Sequence, residues 1–267
     1  MTFQGSAVIL YYDIISRLFT FRLYRRFEMD TVKIEKRNTL VIAHRGLSGI
    51  EPENTNAAFV AAGNRSYYGI ETDIHKTLDG EFVVSHDNHL GRTAGVEIDT
   101  ESSTLAELQS IPLFDVDGVA DRIDLRTPTL SNYIKICKKY GKHSVLELKD
   151  VFTDGDIAGI LSVIDSYGYF EDVTFISFVY DNLVKVKAQR PEARCEFLFS
   201  TPDKISAEQL ARDGFNVDIH HVPLTRELVE EYHKAGLTVN CWTVNEKERA
   251  EELVSYGVDY ITTNILE

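Results

Sequence analysis

Residues 225–263 read TRELVEEYHKAG (225–236), LTVNCWTV (237–244), EKERAEELVSYG (246–257) and VDYITT (258–263). Each of the two longer stretches repeats apolar residues every three or four positions and stops at a glycine, the pattern of an amphipathic helix. Each is followed by a short apolar run rich in β-branched residues, which reads as a buried strand. Helix and strand therefore alternate, which implies parallel strands joined by right-handed crossovers. The same alternation runs backward along the chain. Helix 206–212 precedes NVDIHH, helix 180–189 ends before Pro191 and CEFLFS, helix 156–167 precedes VTFISF, and TLSNYIKICKKYG precedes HSVLELKD. With apolar runs near residues 41 and 71, the strands lie near 41, 71, 146, 175, 197, 218, 240 and 261. Eight such strands in about 250 residues predict an α/β fold of the (β/α)8 TIM-barrel type. A doubly wound open sheet is the rival fold, but no GxGxxG or GxxxxGK loop supports it as a nucleotide binder.

Composition narrows the function. The chain has 267 residues, 43% hydrophobic and 26% charged, which suits one large α/β domain. Its net charge of -14 argues against nucleic acid as a partner, because phosphates would be repelled over the whole surface. An anionic substrate must then be attracted locally, by a cation and a few basic groups. Cys137, Cys195 and Cys241 are widely spaced, odd in number and form no CxxC, so reduced thiols in a cytoplasmic protein are expected.

Three regions follow: an N-terminal helical extension (1–38), the barrel (39–267), and within it an insertion after the second strand (88–127). In AVILYYDIISRLFTFRLYRRF (7–27), Asp13, Arg17 and Arg22 interrupt the apolar run, leaving less than the ~20 residues that a membrane helix needs. Its basic residues follow the apolar part, unlike those of a signal peptide. The expectation is a helix packed on the barrel where the closing helix is missing, and peripheral membrane contact is the second reading. Asn54 or Thr55 is available to cap a helix beginning TNAAF. The insertion holds eight acidic and three basic residues and one short helix near 105–109. Its two readings are a lid over the site and a solvated acidic surface segment.

The chemistry concentrates between Thr39 and Asp87: TLVIAHRG (39–46), EPENT (51–55) and GIETDIHKTLDGEFVVSHD (69–87). Side chains two apart on a strand point the same way, so Glu71 and Asp73 face one site together and need a cation between them. Asp79-Gly80 reads as a two-residue hairpin loop that pairs Leu78 with Glu81 and sets His86 opposite Asp73. A slip of one residue would turn His86 to the other face. His44-Arg45-Gly46 ends a buried strand, where α/β barrels keep their chemistry. Two imidazoles flanking a metal can act as general base and general acid, and Arg45 offers a planar fork for phosphate. In HSVLELKD, Glu147 and Lys149 share a face of a strand buried on both sides, where a charged pair signals function. His75 alternates away from Asp73 and His89 lies beyond the hairpin, so both are expected on the surface or in loops. His220 and His221 receive no chemistry.

The ordered set HRG, PENT, ETD, the DG hairpin, HD and LELK resembles the glycerophosphodiester phosphodiesterase family, from about Thr39 to the C-terminus. That resemblance implies a barrel that hydrolyses a glycerophosphodiester to an alcohol and glycerol 3-phosphate. It implies one divalent cation on Glu71, Asp73 and Glu147, with His44 and His86 exchanging protons and Arg45 and Lys149 on the phosphate. Oxygen ligands favour Mg²⁺ or Ca²⁺ over zinc. Trp242 of WTVN and Phe178 of ISF would line the substrate pocket, and Glu53 of PENT would orient one of the histidines. Asn264 stands where family members often have aspartate, a departure that touches no proposed ligand. The alternatives are a lysophospholipid or sphingolipid phosphodiesterase on the same barrel, and a non-catalytic phosphoester-binding barrel.

Overall fold

The computed structural model describes residues 30–267. Strands Leu40–Ala43 (β1), Gly69–Lys76 (β2), His143–Leu148 (β4), Val173–Ser177 (β5), Arg194–Phe199 (β6), Asn216–His220 (β7), Val239–Trp242 (β8) and Tyr260–Thr263 (β9) pair in parallel. β1 pairs with both β9 and β2, so the sheet closes into the expected eight-stranded (β/α)8 barrel. A further strand, Phe82–Val84 (β3), returns antiparallel along β2.

Alternation along the strands creates two separate apolar regions. Ile70, Leu146, Phe175, Phe197, Val217, Val239 and Ile261 face outward and pack under the helices. Ile42, Val145, Ile176 and Leu198 face inward and form their own cluster with Tyr68, Trp242 and Tyr260. Residues in step with the second group therefore point into the barrel, among them Glu71, Asp73, Glu147, Glu196 and Asp218. The covering helices form where the apolar period predicts. In Leu130–Tyr140 the buried residues are Leu130, Tyr133, Ile134 and Cys137, and Thr129 closes a capping box at its start. Thr55, not Asn54, caps the helix Asn56–Gly63.

Two expectations about chain path are corrected. The hairpin loop has three residues, Leu78, Asp79 and Gly80, because Thr77 N donates to Glu81 O and Gly80 takes φ +85°. The register moves by one: Ile74 pairs with Val84, and Asp73 O accepts from Ser85 N. His86 is therefore beyond the paired strand rather than opposite Asp73. The insertion is more than a solvated segment, since Leu90, Ala94, Leu108, Leu113 and Leu125 bury a small core against Val83. Its expected helix spans Leu105–Ser110, and a second short one, Gly91–Ala94, was not foreseen.

Residues Val32–Glu267 form one compact unit. Val32 and Ile34 run extended along the C-terminal segment, with Val32 N donating to Ile265 O and Ile34 N to Glu267 O, so this end of the expected helical extension is not helical. The rest of that extension and its membrane contact lie outside the described residues. Among the described residues no helix is long and apolar enough to cross a membrane.

Candidate active site

The acidic group is assembled by strand register. Asp73 on β2 stands directly beside Glu147 on β4, and Glu71 shares the face of Asp73 one pleat lower. The three carboxylates offer oxygens within 4.8 Å of one another, and all three side chains are buried. Burial, then the neighbouring acids Asp73 and Glu147, push Glu71 well up; burial and Asp73 push Glu147 up to about 8. Burial raises Asp73 too, but Lys149 and Arg45 outweigh it and hold its carboxyl below the usual range. If all three carboxylates are ionised, as ligands of a cation must be, they exceed Lys149 and Arg45 by one negative charge, and without a cation Glu71 and Glu147 are pushed up instead. Asp73 Oδ1 is moreover buried without a hydrogen-bond partner, although Lys149 Nζ stands 3.4 Å away. An all-oxygen set with an orphaned lone pair and surplus negative charge fits a hard divalent cation.

The loop that follows β1 and the residue that follows β4 complete the arrangement. Arg45 takes a left-handed backbone (φ +55°), with its N–H donating to Glu71 Oε2 at 2.8 Å and its carbonyl accepting from Asn54 N. Its guanidinium lies 2.9 Å from Glu53 Oε1 and 3.6 Å from Asp73 Oδ2. Asn54 is also left-handed (φ +55°), which turns its amide inward to donate to Asp73 Oδ2 at 2.8 Å while accepting from Thr72 Oγ1. Lys149 Nζ reaches Glu147 Oε1 at 3.0 Å, as their shared face predicts.

Both histidines border the same small cavity, of about 80 Å³, together with Arg45, Glu71, Glu147, Asp218, Phe178 and Trp242. His44 Nδ1 lies 2.7 Å from Asn264 Oδ1, and burial beside Arg45 lowers its pKa to about 4. A carboxamide oxygen only accepts, so Nδ1 carries the proton and Nε2 keeps the free lone pair. His86 Nδ1 lies 2.7 Å from Asp87 Oδ1, a charged partner able to support a protonated ring; burial nonetheless lowers its pKa. Phe178 and Trp242 meet edge to face at 5.5 Å, with Phe178 half exposed at the mouth.

Several expectations change. Glu53 touches neither histidine; its carboxylate is taken by the guanidinium groups of Arg45 and Arg92. Asn264 touches no proposed metal ligand, as expected, but its side chain is the partner of His44. His75 is buried at 3% exposure because Asp150, after β4, covers the outer face of β2 and sits 2.6 Å from His75 Nδ1. Glu101 joins this pair, but Asp150 already accepts from His75 and from Lys76 N, so the group is satisfied without a ligand. His89 is a loop residue, as expected. Asn54 and Asp87 stand in the PENT and HD motifs, but nothing in the sequence gives either its role at the site; Asp218 has a signal in the alternation of NVDIH, which turns it inward with Asn216 and His220, and Arg92 has none. A larger cavity of about 430 Å³ opens at the opposite end of the barrel, lined by Tyr68, His143, Arg194 and Tyr260. It lacks an acidic triad, and chemistry in this fold resides at the C-terminal ends of the strands.

Acids, bases and cations gathered at that end equip a barrel enzyme rather than a scaffold. Residues 44–267 match the model of the glycerophosphoryl diester phosphodiesterase family. The chain is 32% identical over 235 residues to a glycerophosphodiester phosphodiesterase of Caldanaerobacter subterraneus subsp. tengcongensis, covering 85% of this chain and 94% of that one. An Oleispira antarctica phosphodiesterase, solved with its product sn-glycerol-3-phosphate, superposes with a TM-score of 0.78 at 30% identity, covering 84% of this chain and 92% of the other. A glycerophosphodiester phosphodiesterase from Parabacteroides distasonis gives 0.73 at 28% identity, with coverages of 86% and 94%. The chain belongs to the glycerophosphoryl diester phosphodiesterase family, a family of phosphoric diester hydrolases.

Proposed function

We propose that this protein hydrolyses glycerophosphodiesters to an alcohol and glycerol 3-phosphate, using one divalent cation and two histidines. The observation that carries the reading is the β2–β4 register, which sets Asp73 beside Glu147 under a cavity bordered by both His44 and His86. Glu71, Asp73 and Glu147 would hold a Mg²⁺ or Ca²⁺ ion, which when bound would supply positive charge to the phosphoryl oxygens. Arg45 and Lys149 add fixed charge to the same oxygens, in a site already enclosed by protein. His44, held neutral with Nε2 unprotonated, takes the proton of the attacking oxygen. His86, backed by Asp87, gives a proton to the leaving alcohol. Phe178 and Trp242 shape the wall against which the alcohol lies. The product bound by the Oleispira antarctica relative is the glycerol 3-phosphate this reaction would release. Cys137, Cys195 and Cys241, all buried and unpaired, support a cytoplasmic location.

A second reading, cleavage of a lysophospholipid, is favoured by Val116, Val119 and Ile123, apolar residues exposed on the insertion. One assay separates the two: release of glycerol 3-phosphate from glycerophosphocholine and glycerophosphoethanolamine, beside turnover of lysophosphatidylcholine. The proposal requires the soluble diesters to be cleaved. It also requires His44→Ala and His86→Ala each to lose about a hundredfold or more in rate; near-normal turnover in either variant removes that histidine from the mechanism.

A further inference from the structure

The sheet fixes the backbone of His86 but not its ring. β3 ends at Val84, the bond from Ser85 N to Asp73 O is the last backbone bond to β2, and His86 lies in the loop beyond, its carbonyl 3.4 Å from His75 Nε2 of β2. The orientation of its ring rests on side chains. Asp87 Oδ1 meets His86 Nδ1 at 2.7 Å, and the other oxygen of Asp87 accepts from Arg92 Nε at 2.9 Å. The remaining two nitrogens of Arg92 grip Glu53, Nη1 on Oε2 and Nη2 on Oε1, both at 2.8 Å. Glu53 also accepts from Arg45 Nη1 at 2.9 Å. Five side chains from three segments thus form one chain of charge-assisted hydrogen bonds running from Arg45 to His86.

We propose that Arg92, a residue of the insertion, is a positioning residue that holds His86 in register with the phosphate-facing Arg45 through Asp87 and Glu53. This rests on the reading in which His86 exchanges a proton with substrate. An isolated half-exposed ion pair contributes little, and Arg92 is 48% exposed. Two features set it apart. Both edges of its guanidinium are used, a geometry that only arginine offers, and each carboxylate it binds has a second partner in the site. Glu53 and Asp87 would repel each other without a cation between them, and Asp87 would then lose its fixed orientation. The insertion accordingly takes part in aligning the site rather than only shielding it.

The test is a double-mutant cycle in the full-length protein, with kcat and KM measured on glycerophosphocholine. Arg92→Met is expected to lower kcat between about ten- and a hundredfold, the cost of a slightly misplaced group, with KM changed less than about twofold. In a His86→Ala background the same substitution is expected to cost nothing further. Equal losses in both backgrounds, or no loss in the first, would overturn the proposal. A second measurement reads positioning without turnover: the imidazole ¹⁵N resonances of His86. The unaltered protein should keep Nδ1 protonated toward Asp87 both in the neutral ring and in the acid form that gives its Nε2 proton to substrate, and Arg92→Met should convert the neutral ring to an exchanging mixture of tautomers. An unchanged tautomer in the variant would also overturn the proposal. Inactivity of the unaltered protein would instead refute the hydrolase reading and leave the resonance experiment to decide the role of Arg92.

Discussion

His44 pairs with a neutral partner: its Nδ1 stands 2.7 Å from Asn264 Oδ1, across 220 residues of chain. Burial and Arg45 disfavour the charged ring, and the hydrogen bond with Asn264 opposes them without outweighing them. A carboxylate at this position favours the protonated ring and raises its pKa. The neutral, proton-accepting form would then be lost at a higher pH as the solution is acidified. Asn264→Asp is expected to move the acidic limb of the kcat/KM profile upward by about one pH unit; an unmoved limb would mean that His44 is not the group titrating there.

Asn54 aims its amide at Asp73 from a left-handed backbone. Asn54→Gly preserves that backbone and removes the donor, leaving Asp73 Oδ2 free to swing. Groups that orient a ligand are worth about ten- to a hundredfold in metal affinity. Calorimetric titration with Mg²⁺ or Ca²⁺ is expected to show a loss in that range, with the thermal transition little changed.

Gly46 combines φ +76° with a tight approach, since an added Cβ would lie 2.7 Å from both the carbonyl carbon and the Cβ of Ala58. Gly46→Ala therefore meets both a left-handed penalty and a backbone clash, together about 2–4 kcal/mol. A drop of several degrees in Tm is expected, with activity lost because the adjoining His44 and Arg45 shift. Unchanged stability would show that the loop can move aside.

Glu196 lies inside the barrel, 3.2 Å from Asn240 Nδ2, and burial pushes its pKa up to about 7 from 4.5. The folded state favours the uncharged acid. Stability from this group is thus complete below the unfolded value and is lost as pH rises through about 7. The loss is on the order of 3 kcal/mol. Glu196→Gln should remove it, so the variant is expected to gain on the unaltered protein at pH 8.5 and not at pH 4.5. Parallel pH–Tm curves would contradict the assignment.

The barrel and the acid pair were legible because they depend on local periods. Alternation alone puts Glu71 and Asp73 on one face, and helix-strand repetition alone demands parallel strands. The hairpin register was not, because Asp-Gly serves two- and three-residue loops alike, and the longer one is chosen by Leu78 N finding Ser103 O in the insertion. His75 looked exposed because nothing near it in the chain shows that Asp150 covers its face. Asn54 and Asn264 act through a φ angle and through contacts 19 and 220 residues apart, information that a composition of neighbours does not hold. What remained hidden was the hydrogen-bonding that holds the reactive groups in place, rather than the groups themselves.

The most direct measurement is the rate of glycerol 3-phosphate release from glycerophosphocholine by protein stripped with a chelator and then titrated with Mg²⁺ or Ca²⁺. Loss of turnover on stripping, its return with one equivalent of cation, and failure of Glu147→Gln to recover at the same concentration are predicted. Full activity in the presence of chelator would contradict the account.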